Sequence, residues 1–247
     1  MLGRWLASGL PPEQVTVVSP SGRAMPDGVT VVREVPAGDF DVIVLALKPQ
    51  QLNSLRGGPL AGHAPALLLS ILAGVEEAAL AGLCGAQAVV RAMPNLPVVI
   101  GKGDTALCSR SAGASARATA EALAAPLGHH EWIADEAQYD AVTALAGSGP
   151  GFTFRWIEAL AAGGASLGLP ADQALRLALA TVEGSALMAA ASDASPGTLA
   201  DRVASPGGST REGLNVLDQD DALVGLVTDT LAAATRRNAE MAAVARN

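Results

Sequence analysis

The segment from Ser205 to Thr210 combines residue types that can bind a small anion. It reads Ser-Pro-Gly-Gly-Ser-Thr, and a helix is predicted to begin at about Thr210. Two adjacent glycines let successive backbone N–H groups point into one concave site. The helix N-terminus adds a dipole that favours negative charge. These features predict a carboxylate-binding site, although an ordinary helix–helix turn capped by Ser and Thr fits the same residues.

The second half of the chain restricts the chemistry that such a site can support. From Asp135 to Asn247 the sequence has no His, Lys or Cys, and Tyr139 is its single Tyr. Metal binding, Schiff-base formation and His-based acid–base catalysis are therefore disfavoured there. Hydroxyl groups, carboxylates and backbone amides remain. Hydride addition to a protonated cyclic imine suits them, because a nicotinamide cofactor supplies the hydride and the substrate carries its own proton.

Bulk composition argues against several other classes of function. The hydrophobic fraction of 50% and the charged fraction of 16% indicate a packed protein. A net charge of −8 and an aromatic fraction of 3% argue against a nucleic-acid partner. No membrane span is predicted.

Cys84 and Cys108 are expected to be reduced packing residues of a cytoplasmic protein. His129-His130 is expected in a turn and not in a metal site, because no third ligand has suitable spacing.

Two patterns of predicted secondary structure divide the chain near residue 135. Before it, short β-branched or apolar runs alternate with helical stretches, which predicts a parallel α/β sheet. The predicted strands are 15–18, 29–32, 42–47, 67–71, 88–90, 104–108 and 131–133, and the helices include 76–84 and 115–127. After it, only helices are predicted, at 139–145, 152–167, 171–191, 199–203, 210–217 and 221–246. We expect an α/β domain over residues 1–135 and an all-α domain over 136–247.

The helices of the second half are rich in Ala and Gly and have few large side chains. Small side chains bury little apolar area, at about 25 cal/mol per Å². Such a bundle is more plausible when it packs against a second copy of itself. We therefore expect a homodimer or a higher homo-oligomer.

Several motifs occur in the order in which they occur in the pyrroline-5-carboxylate reductase family. The motifs are Leu-Ala-Leu-Lys-Pro-Gln at 45–50, Ser-Ile-Leu-Ala-Gly-Val at 70–75, Arg-Ala-Met-Pro-Asn at 91–95, the run 141–150 with Leu-Gly-Leu-Pro at 167–170, and 196–218. The last, PGTLADRVASPGGSTREGLNVLD, resembles the family's signature segment throughout. The resemblance implies an incomplete Rossmann-like cofactor domain followed by an all-α dimerisation domain. It also implies reduction of 1-pyrroline-5-carboxylate to L-proline by NAD(P)H, the last step of proline biosynthesis.

The resemblance assigns roles to individual residues. Thr210 would hydrogen-bond the substrate ring nitrogen, while Ser205 and the amides of Gly207, Gly208 and Ser209 would bind the substrate carboxylate. The cofactor would contact three further groups of residues: Ser19, Ser21 and Arg23; Ala46, Leu47, Lys48 and Pro49; and Ala92, Pro94 and Asn95. No residue is assigned to a metal.

Two of the charged residues in these groups have simpler interpretations. Lys48 could be an ordinary solvated charge, and Arg23 could belong to a polar turn after a strand. Ser and Arg at the ribose-reading position tolerate a 2′-phosphate, which favours NADPH and leaves NADH possible.

The sequence also departs from the family pattern. Leu96 stands where Thr is common, and Gly151-Phe152 stands where Ala-Tyr is common. Family members open with a strand and a G-x-G-x-x-G turn, whereas residues 1–6 align within the helix that follows. About 20 residues are thus expected to be missing, which would leave two neighbouring strands with unpaired edges.

Two explanations for this difference stay open. Either the given sequence starts too late, or the chain is truncated, in which case we expect NADPH affinity to be largely lost while the helical dimer and the carboxylate site survive. Two other functions also stay open. One is a cofactor-deficient, non-catalytic dimeric scaffold. The other is a related hydroxyacid dehydrogenase, which is disfavoured because the second half has no Lys.

Overall fold

The structure is a computed structural model that describes residues 1–246. The chain forms two compact units. The first contains Met1–Ser148 and the chain from Ala233 onward, and the second contains Gly149–Ala232. The domain boundary near residue 135 stays a prediction. By their contacts, the short helical segments between residues 136 and 148 belong to the first unit.

The first unit is an α/β structure, as predicted. Its strands are β1 (Thr16–Val18), β2 (Thr30–Val32), β3 (Val42–Leu45), β4 (Leu67–Ser70), β5 (Ala88–Pro94), β6 (Gly103–Cys108) and β7 (Gly128–Trp132). Its helices are α1 (Leu2–Ala7), α2 (Glu77–Leu80), α3 (Ala114–Ala124) and α4 (Tyr139–Val142). Short 3-10 segments cover Pro12–Gln14, Pro49–Leu55, Leu96–Ile100, Ala125–Leu127 and Glu136–Gln138, and a π-helical turn covers Thr143–Gly147.

The strands form two sheets. Strands β1 and β2 pair in parallel, and the second sheet has the order β3-β4-β5-β6-β7. Within residues 1–246, β1 pairs with no strand but β2, and β3 pairs with no strand but β4. The division therefore falls between β1 and β3, where the resemblance predicted two unpaired strand edges.

Three local predictions for the first unit were wrong. Strand β6 runs antiparallel to β5, because the eight residues that join them are too few for a parallel crossover. His129 and His130 lie in strand β7 and not in a turn, since their alternating exposure suits an edge strand. The predicted helix 76–84 is reduced to the single turn α2, because Ala81 adopts an extended conformation.

The core of the five-stranded sheet is packed on both faces. Alternation along β4 sends Leu68 to one face, where it packs with Leu80 of α2, and Leu67 and Leu69 to the other, where they pack with Ala120 of α3. Every residue of β4 is buried. Strands covered on both faces read as continuous apolar runs, which explains why β3, β4 and β5 were recognisable in the sequence.

The second unit contains only helices among its described residues. They are α5 (Gly149–Ser166), α6 (Ala171–Ala190), α7 (Pro196–Val203), α8 (Ser209–Asp218) and α9 (Ala222–Arg246), with a 3-10 turn at Gln219–Asp221 between the last two. The end of α9 belongs to the first unit. Each predicted helix is present with bounds shifted by a few residues. No described helix has both the length and the apolar character needed to cross a bilayer.

Candidate functional site

A tight turn precedes helix α8 in the segment predicted to bind a carboxylate. The Gly208 N–H donates to the Ser205 carbonyl over 2.9 Å, and Gly207 has a φ of +70°. This left-handed conformation favours glycine. Gly208 then caps α8, and a Cβ atom added there would lie 3.1 Å from the Ser205 carbonyl oxygen. The backbone conformation therefore favours glycine at position 207, and the close Ser205 carbonyl leaves little room for a side chain at position 208.

The first turn of α8 offers backbone N–H groups that its own helix does not use. Ser209 and Thr210 are the first two residues of α8, and the capping residue Gly208 has no side chain that could accept from their N–H groups. N–H groups at these positions have no intrahelical carbonyl to pair with. They can donate to an anion, whereas the Gly208 N–H is already committed to the turn. Ser205 and Thr210 are exposed, so both hydroxyl groups are accessible in the single chain.

An ion pair fixes the turn between its two flanking helices. Arg211 of α8 lies 2.7 Å from the Asp201 carboxylate of α7. The Arg211 side chain is 30% exposed, which is low for a surface ion pair. Both residues belong to the signature segment, but the sequence analysis assigned them no role. Their spacing of ten residues across a turn gave no periodic signal for the contact.

Two of the predicted cofactor segments lie at one edge of the larger sheet. Strands β3, β4 and β5 are parallel, with Leu45 opposite Ser70 and Ser70 opposite Arg91. The residues that follow, Ala46 and Ala92, therefore lie at the same carboxyl edge. Ligands of open α/β sheets bind at this edge. The sequence thus identified two segments that the fold brings to one place.

The segment after β3 leaves the edge as a 3-10 turn. Pro49 is its first residue, and the Lys48 N–H donates to the side chain of Gln51. Ala46 and Lys48 are exposed, while Leu47 and Pro49 are half-buried. The exposure of Lys48 is compatible both with a cofactor contact and with an ordinary solvated charge.

The segment after β1 forms the predicted polar turn. The hydroxyl of Ser19 accepts a hydrogen bond from the Arg23 N–H over 3.1 Å, and the Gly22 N–H donates to the Ser19 carbonyl. Ser19 is buried, while Ser21 and Arg23 are exposed. This turn follows the smaller sheet, so the structure does not place it at the edge that carries Ala46 and Ala92.

The segment after β5 is held by the side chain of Asn95. Its Oδ1 accepts a hydrogen bond from the Asp104 N–H over 2.9 Å, and its Nδ2 donates to the Ala146 carbonyl over 3.0 Å. Of the other two predicted cofactor residues in this segment, Ala92 is buried and Pro94 is half-buried. The Asn95 side chain therefore connects the end of β5, the start of β6 and the π-helical turn.

A charged network that the sequence analysis missed lies one residue before this segment. Arg91 donates to the Glu136 carboxylate over 2.7 Å, and the side chains are only 4% and 12% exposed. The Arg91 guanidinium lies 3.8 Å above the ring centre of Tyr139, a favourable cation–π distance. Glu136 also accepts a hydrogen bond from the Glu77 N–H. An Arg within the apolar run 88–93 was the signal that could have revealed a buried partner.

The network shifts the ionisation of the groups around it. Burial alone would raise the pKa of Glu136, but the hydrogen bond from the Glu77 N–H and the Arg91 guanidinium outweigh burial and lower that pKa below its ordinary value. Burial, and next the negative charge of Glu136, raise the pKa of the Cys108 thiol. Burial also raises the pKa of Tyr139. Glu136 therefore stays ionised at neutral pH, and Cys108 stays a thiol.

The described residues contain no group of three or more His, Cys, Asp and Glu side chains that could hold a metal ion. His129 lies near Glu131 on β7, at 3.7 Å, and both are well exposed. The exposed pair lacks the further ligands that a structural or catalytic zinc site requires.

Comparisons with a family model and with known proteins all identify the same family. A family model described as pyrroline-5-carboxylate reductase dimerisation matches residues 136–241. The pyrroline-5-carboxylate reductase of Pseudomonas aeruginosa is 35% identical over 252 aligned positions, which cover 98% of this chain and 92% of the relative. The enzyme of Pisum sativum is 37% identical over 205 positions, which cover 81% of this chain and 74% of the relative.

Solved structures of the same family match the whole fold. A pyrroline-5-carboxylate reductase from Coxiella burnetii superposes with a TM-score of 0.81 at 29% identity, over 97% of this chain and 92% of the other. The pyrroline carboxylate reductase of Plasmodium falciparum, solved with NADP bound, gives a TM-score of 0.80 at 25% identity, with the same coverage of 97% and 92%. On its sequence and its fold, this chain belongs to the pyrroline-5-carboxylate reductase family.

Proposed function

We propose that this chain reduces 1-pyrroline-5-carboxylate to L-proline with NADPH as the hydride donor. The observation that carries the proposal is the turn Ser205–Thr210, where unused N–H groups at the start of α8 lie beside an exposed Thr hydroxyl. An anion at a helix N-terminus is stabilised by these donors and by the helix dipole. The substrate offers a carboxylate for this position and a ring nitrogen for the hydroxyl.

The residues of this chain have defined parts in the reaction. The N–H groups of Ser209 and Thr210, with the Ser205 hydroxyl and the Gly207 amide, hold the carboxylate. The Thr210 hydroxyl oxygen accepts a hydrogen bond from the protonated ring nitrogen, which keeps the C=N bond in one orientation. The Gly208 N–H is used within the turn, so Gly208 contributes by shaping the turn and allowing the close approach of the backbone.

The proton and electron balance explains why no acidic or basic catalyst is needed in the helical unit. The substrate arrives as an iminium ion, with its nitrogen already protonated. NADPH, when bound, supplies two electrons and one hydrogen to the imine carbon, and the C=N bond becomes a C–N bond. The product is a neutral secondary amine, which takes a proton from water at neutral pH. The absence of His, Lys and Cys from residues 135–247 is consistent with this scheme.

The residues present fit the two ends of a dinucleotide cofactor. Ala46–Pro49 and Ala92–Asn95 lie at the carboxyl edge of parallel strands, where the nicotinamide end would bind. Ser19, Ser21 and Arg23 would take the adenosine ribose and its 2′-phosphate. No segment of the sequence carries the G-x-G-x-x-G pattern that receives a pyrophosphate. The proposed contacts are therefore those to the two ends of NADPH, and Arg23 is the residue that favours NADPH over NADH.

The same family assignment supports a homodimer. The matched model is that of the dimerisation region, and helix α6 and the turn that precedes it expose large apolar side chains in the single chain. Leu167 is 89% exposed, Leu187 is 57% exposed and Met188 is 62% exposed. Exposed apolar area of this kind is typical of a surface that a second copy covers. Light scattering is expected to give a dimeric mass or a multiple of it, and a monomeric mass at micromolar concentration would contradict the assignment.

The central test is turnover of 1-pyrroline-5-carboxylate by the wild type and by Thr210→Ala. We expect oxidation of NADPH with formation of proline in the wild type, and a kcat reduced on the order of 100-fold in the variant, because one orienting contact is lost. Thr119→Ala is the matched control, since Thr119 is half-buried and its hydroxyl donates to the Ser115 carbonyl of its own helix. Unchanged turnover in Thr210→Ala would overturn the assigned role. A folded dimer without turnover would instead favour the non-catalytic scaffold.

A further inference from the structure

The side chain of Asn95 is bonded to two different parts of the backbone, and each bond uses one half of its amide. Oδ1 faces a donor, the Asp104 N–H, and Nδ2 faces an acceptor, the Ala146 carbonyl. Only one orientation of the amide satisfies both partners. The Asn95 N–H also donates to the Asp104 carbonyl over 3.1 Å. Both polar groups of the side chain are thus used within the protein.

The carbonyl that Asn95 bonds is one that an α-helix would leave without a partner. In an α-helix, the Ala146 carbonyl would accept a hydrogen bond from the N–H of residue 150. That residue is Pro150, which has no N–H. The chain at this point is a π-helical turn, in which the Ser148 N–H donates to the Thr143 carbonyl over 3.0 Å. Single π-helical turns inside helices occur frequently at functional sites. Asn95 supplies a donor that proline cannot provide.

The π-helical turn Thr143–Gly147 lies against the strand that carries the proposed nicotinamide edge. Gly147 packs beside Met93, since a Cβ atom placed on it would lie 3.6 Å from the Met93 side chain, at van der Waals contact. The turn is also bonded from within, because the Thr143 hydroxyl donates to the Tyr139 carbonyl over 2.7 Å. Tyr139 in turn lies under Arg91 of the same strand. The end of β5 and the π-helical turn therefore form one connected structure.

We propose that Asn95 is a positioning residue of the reductase, which holds the nicotinamide edge of β5 against the π-helical turn. This inference rests on the proposed function. It refines the part given to Asn95 there, because each half of its amide already forms a hydrogen bond to the backbone, and these two bonds fix the orientation of the side chain. Loss of the donor to Ala146 frees the turn and the end of β5 together. The position of the hydride donor then varies, and turnover falls more than cofactor affinity.

The test compares Asn95→Asp with the wild type. Aspartate has nearly the same shape and still accepts from the Asp104 N–H, but it places a carboxylate oxygen against the Ala146 carbonyl. We expect kcat to fall on the order of 10- to 100-fold, because small displacements of reacting groups have effects of this size. We expect the Kd for NADPH, measured by fluorescence, to stay the same. The Ser148 amide should exchange its hydrogen faster than in the wild type.

Asn238→Asp is the matched control. Asn238 also donates from Nδ2 to a backbone carbonyl in the same unit, that of Asp140, over 3.3 Å. Asp140 lies in α4, so this bond does not hold the π-helical turn Thr143–Gly147 itself. This variant should leave kcat and the exchange of Ser148 unchanged, even where it lowers the melting temperature.

The outcomes separate the possible explanations. A large increase in the NADPH Kd of Asn95→Asp with unchanged exchange at residues 143–148 would overturn the positioning role and make Asn95 a direct cofactor contact. An unchanged kcat would overturn it as well. Hydrogen exchange does not depend on turnover. If the wild type fails to reduce 1-pyrroline-5-carboxylate, the proposed function is wrong, and the exchange of Ser148 alone decides whether Asn95 holds the turn.

Discussion

Arg91 and Glu136 form an ion pair of 2.7 Å whose members come from β5 and from the segment leading into α4. The Arg91 side chain is 4% exposed and that of Glu136 is 12% exposed, so water screens the pair very little. The pair connects the strand that precedes the Met-Pro-Asn motif to the residues that lead into the π-helical turn. Removing Glu136 leaves the Arg91 charge buried without its carboxylate partner.

Glu136→Ala is expected to lower the free energy of unfolding by about 3–5 kcal/mol, because Arg91 then stays buried and unpaired. Urea denaturation at one fixed protein concentration measures the effect. Arg155→Ala serves as the control, since Arg155 forms an exposed pair with Glu158, and exposed pairs contribute about 0–1 kcal/mol. Equal effects of the two substitutions would show that the burial of the Arg91 pair has no energetic consequence.

The same carboxylate predicts a pH dependence of stability. The pKa of Glu136 is lower in the folded protein than its ordinary value, so its contribution is fully present above the ordinary Glu pKa and is lost as the pH falls through the folded pKa. The difference in unfolding free energy between wild type and Glu136→Gln should therefore be constant near neutral pH and should shrink in acid. A difference that grew on acidification would contradict the prediction.

Substitutions in the turn before α8 should weaken substrate binding without affecting the cofactor. Gly207→Ala forces an alanine to adopt a φ of +70°, which costs roughly 1–2 kcal/mol. The misplaced amides should raise the KM for 1-pyrroline-5-carboxylate several-fold and leave the KM for NADPH unchanged. Gly213→Ala within α8 is the control, because an added Cβ atom there meets nothing within 4 Å. Parallel changes in both KM values would argue against a substrate-specific turn.

The ion pair between Arg211 and Asp201 should contribute to the same binding step. Asp201→Asn removes the charge that holds Arg211 across the turn, so we expect a higher KM for the substrate and a smaller change in kcat. High salt should reduce the difference from the wild type, since salt screens the pair. Asp172→Asn in α6 is the control, because it breaks a fully exposed pair with Arg176. An identical response of the two variants would exclude a role for the pair in the site.

Arg23→Ala should change the choice between the two cofactors. If Arg23 binds the 2′-phosphate, the KM for NADPH rises on the order of tenfold or more through loss of a charge-assisted contact, and the KM for NADH does not. Lys102→Ala removes a positive charge from another exposed position and serves as the control. Equal increases for NADPH and NADH would show that the turn at 19–23 is only a polar turn after a strand.

Elements with strong local signals were predictable from the sequence. Strands β3 and β4 are continuous apolar runs, and the helix α6 follows Pro170 as its capping residue. The turn at Ser205–Thr210 was recognisable because glycine pairs have few uses next to a helix start. These features depend on residues that are close together in the chain.

Features that depend on distant residues were not predictable. The contact from Asn95 to Ala146 spans 51 positions, and the ion pair from Arg91 to Glu136 spans 45. Neither has a period or a spacing that a single sequence reveals. The histidines of β7 were misplaced for a related reason, since an edge strand with alternating exposure resembles a polar turn until its partner β6 is known.

Cys108 gives the protein an internal reporter of local opening. Its thiol is buried on β6, and its raised pKa keeps it from forming the reactive thiolate. Alkylation of Cys108 therefore requires β6 to separate briefly from its neighbours, and the rate of alkylation measures how often it does so. Cys84 is half-buried, so we expect it to be alkylated first, and its rate is the reference against which the rate of Cys108 is compared.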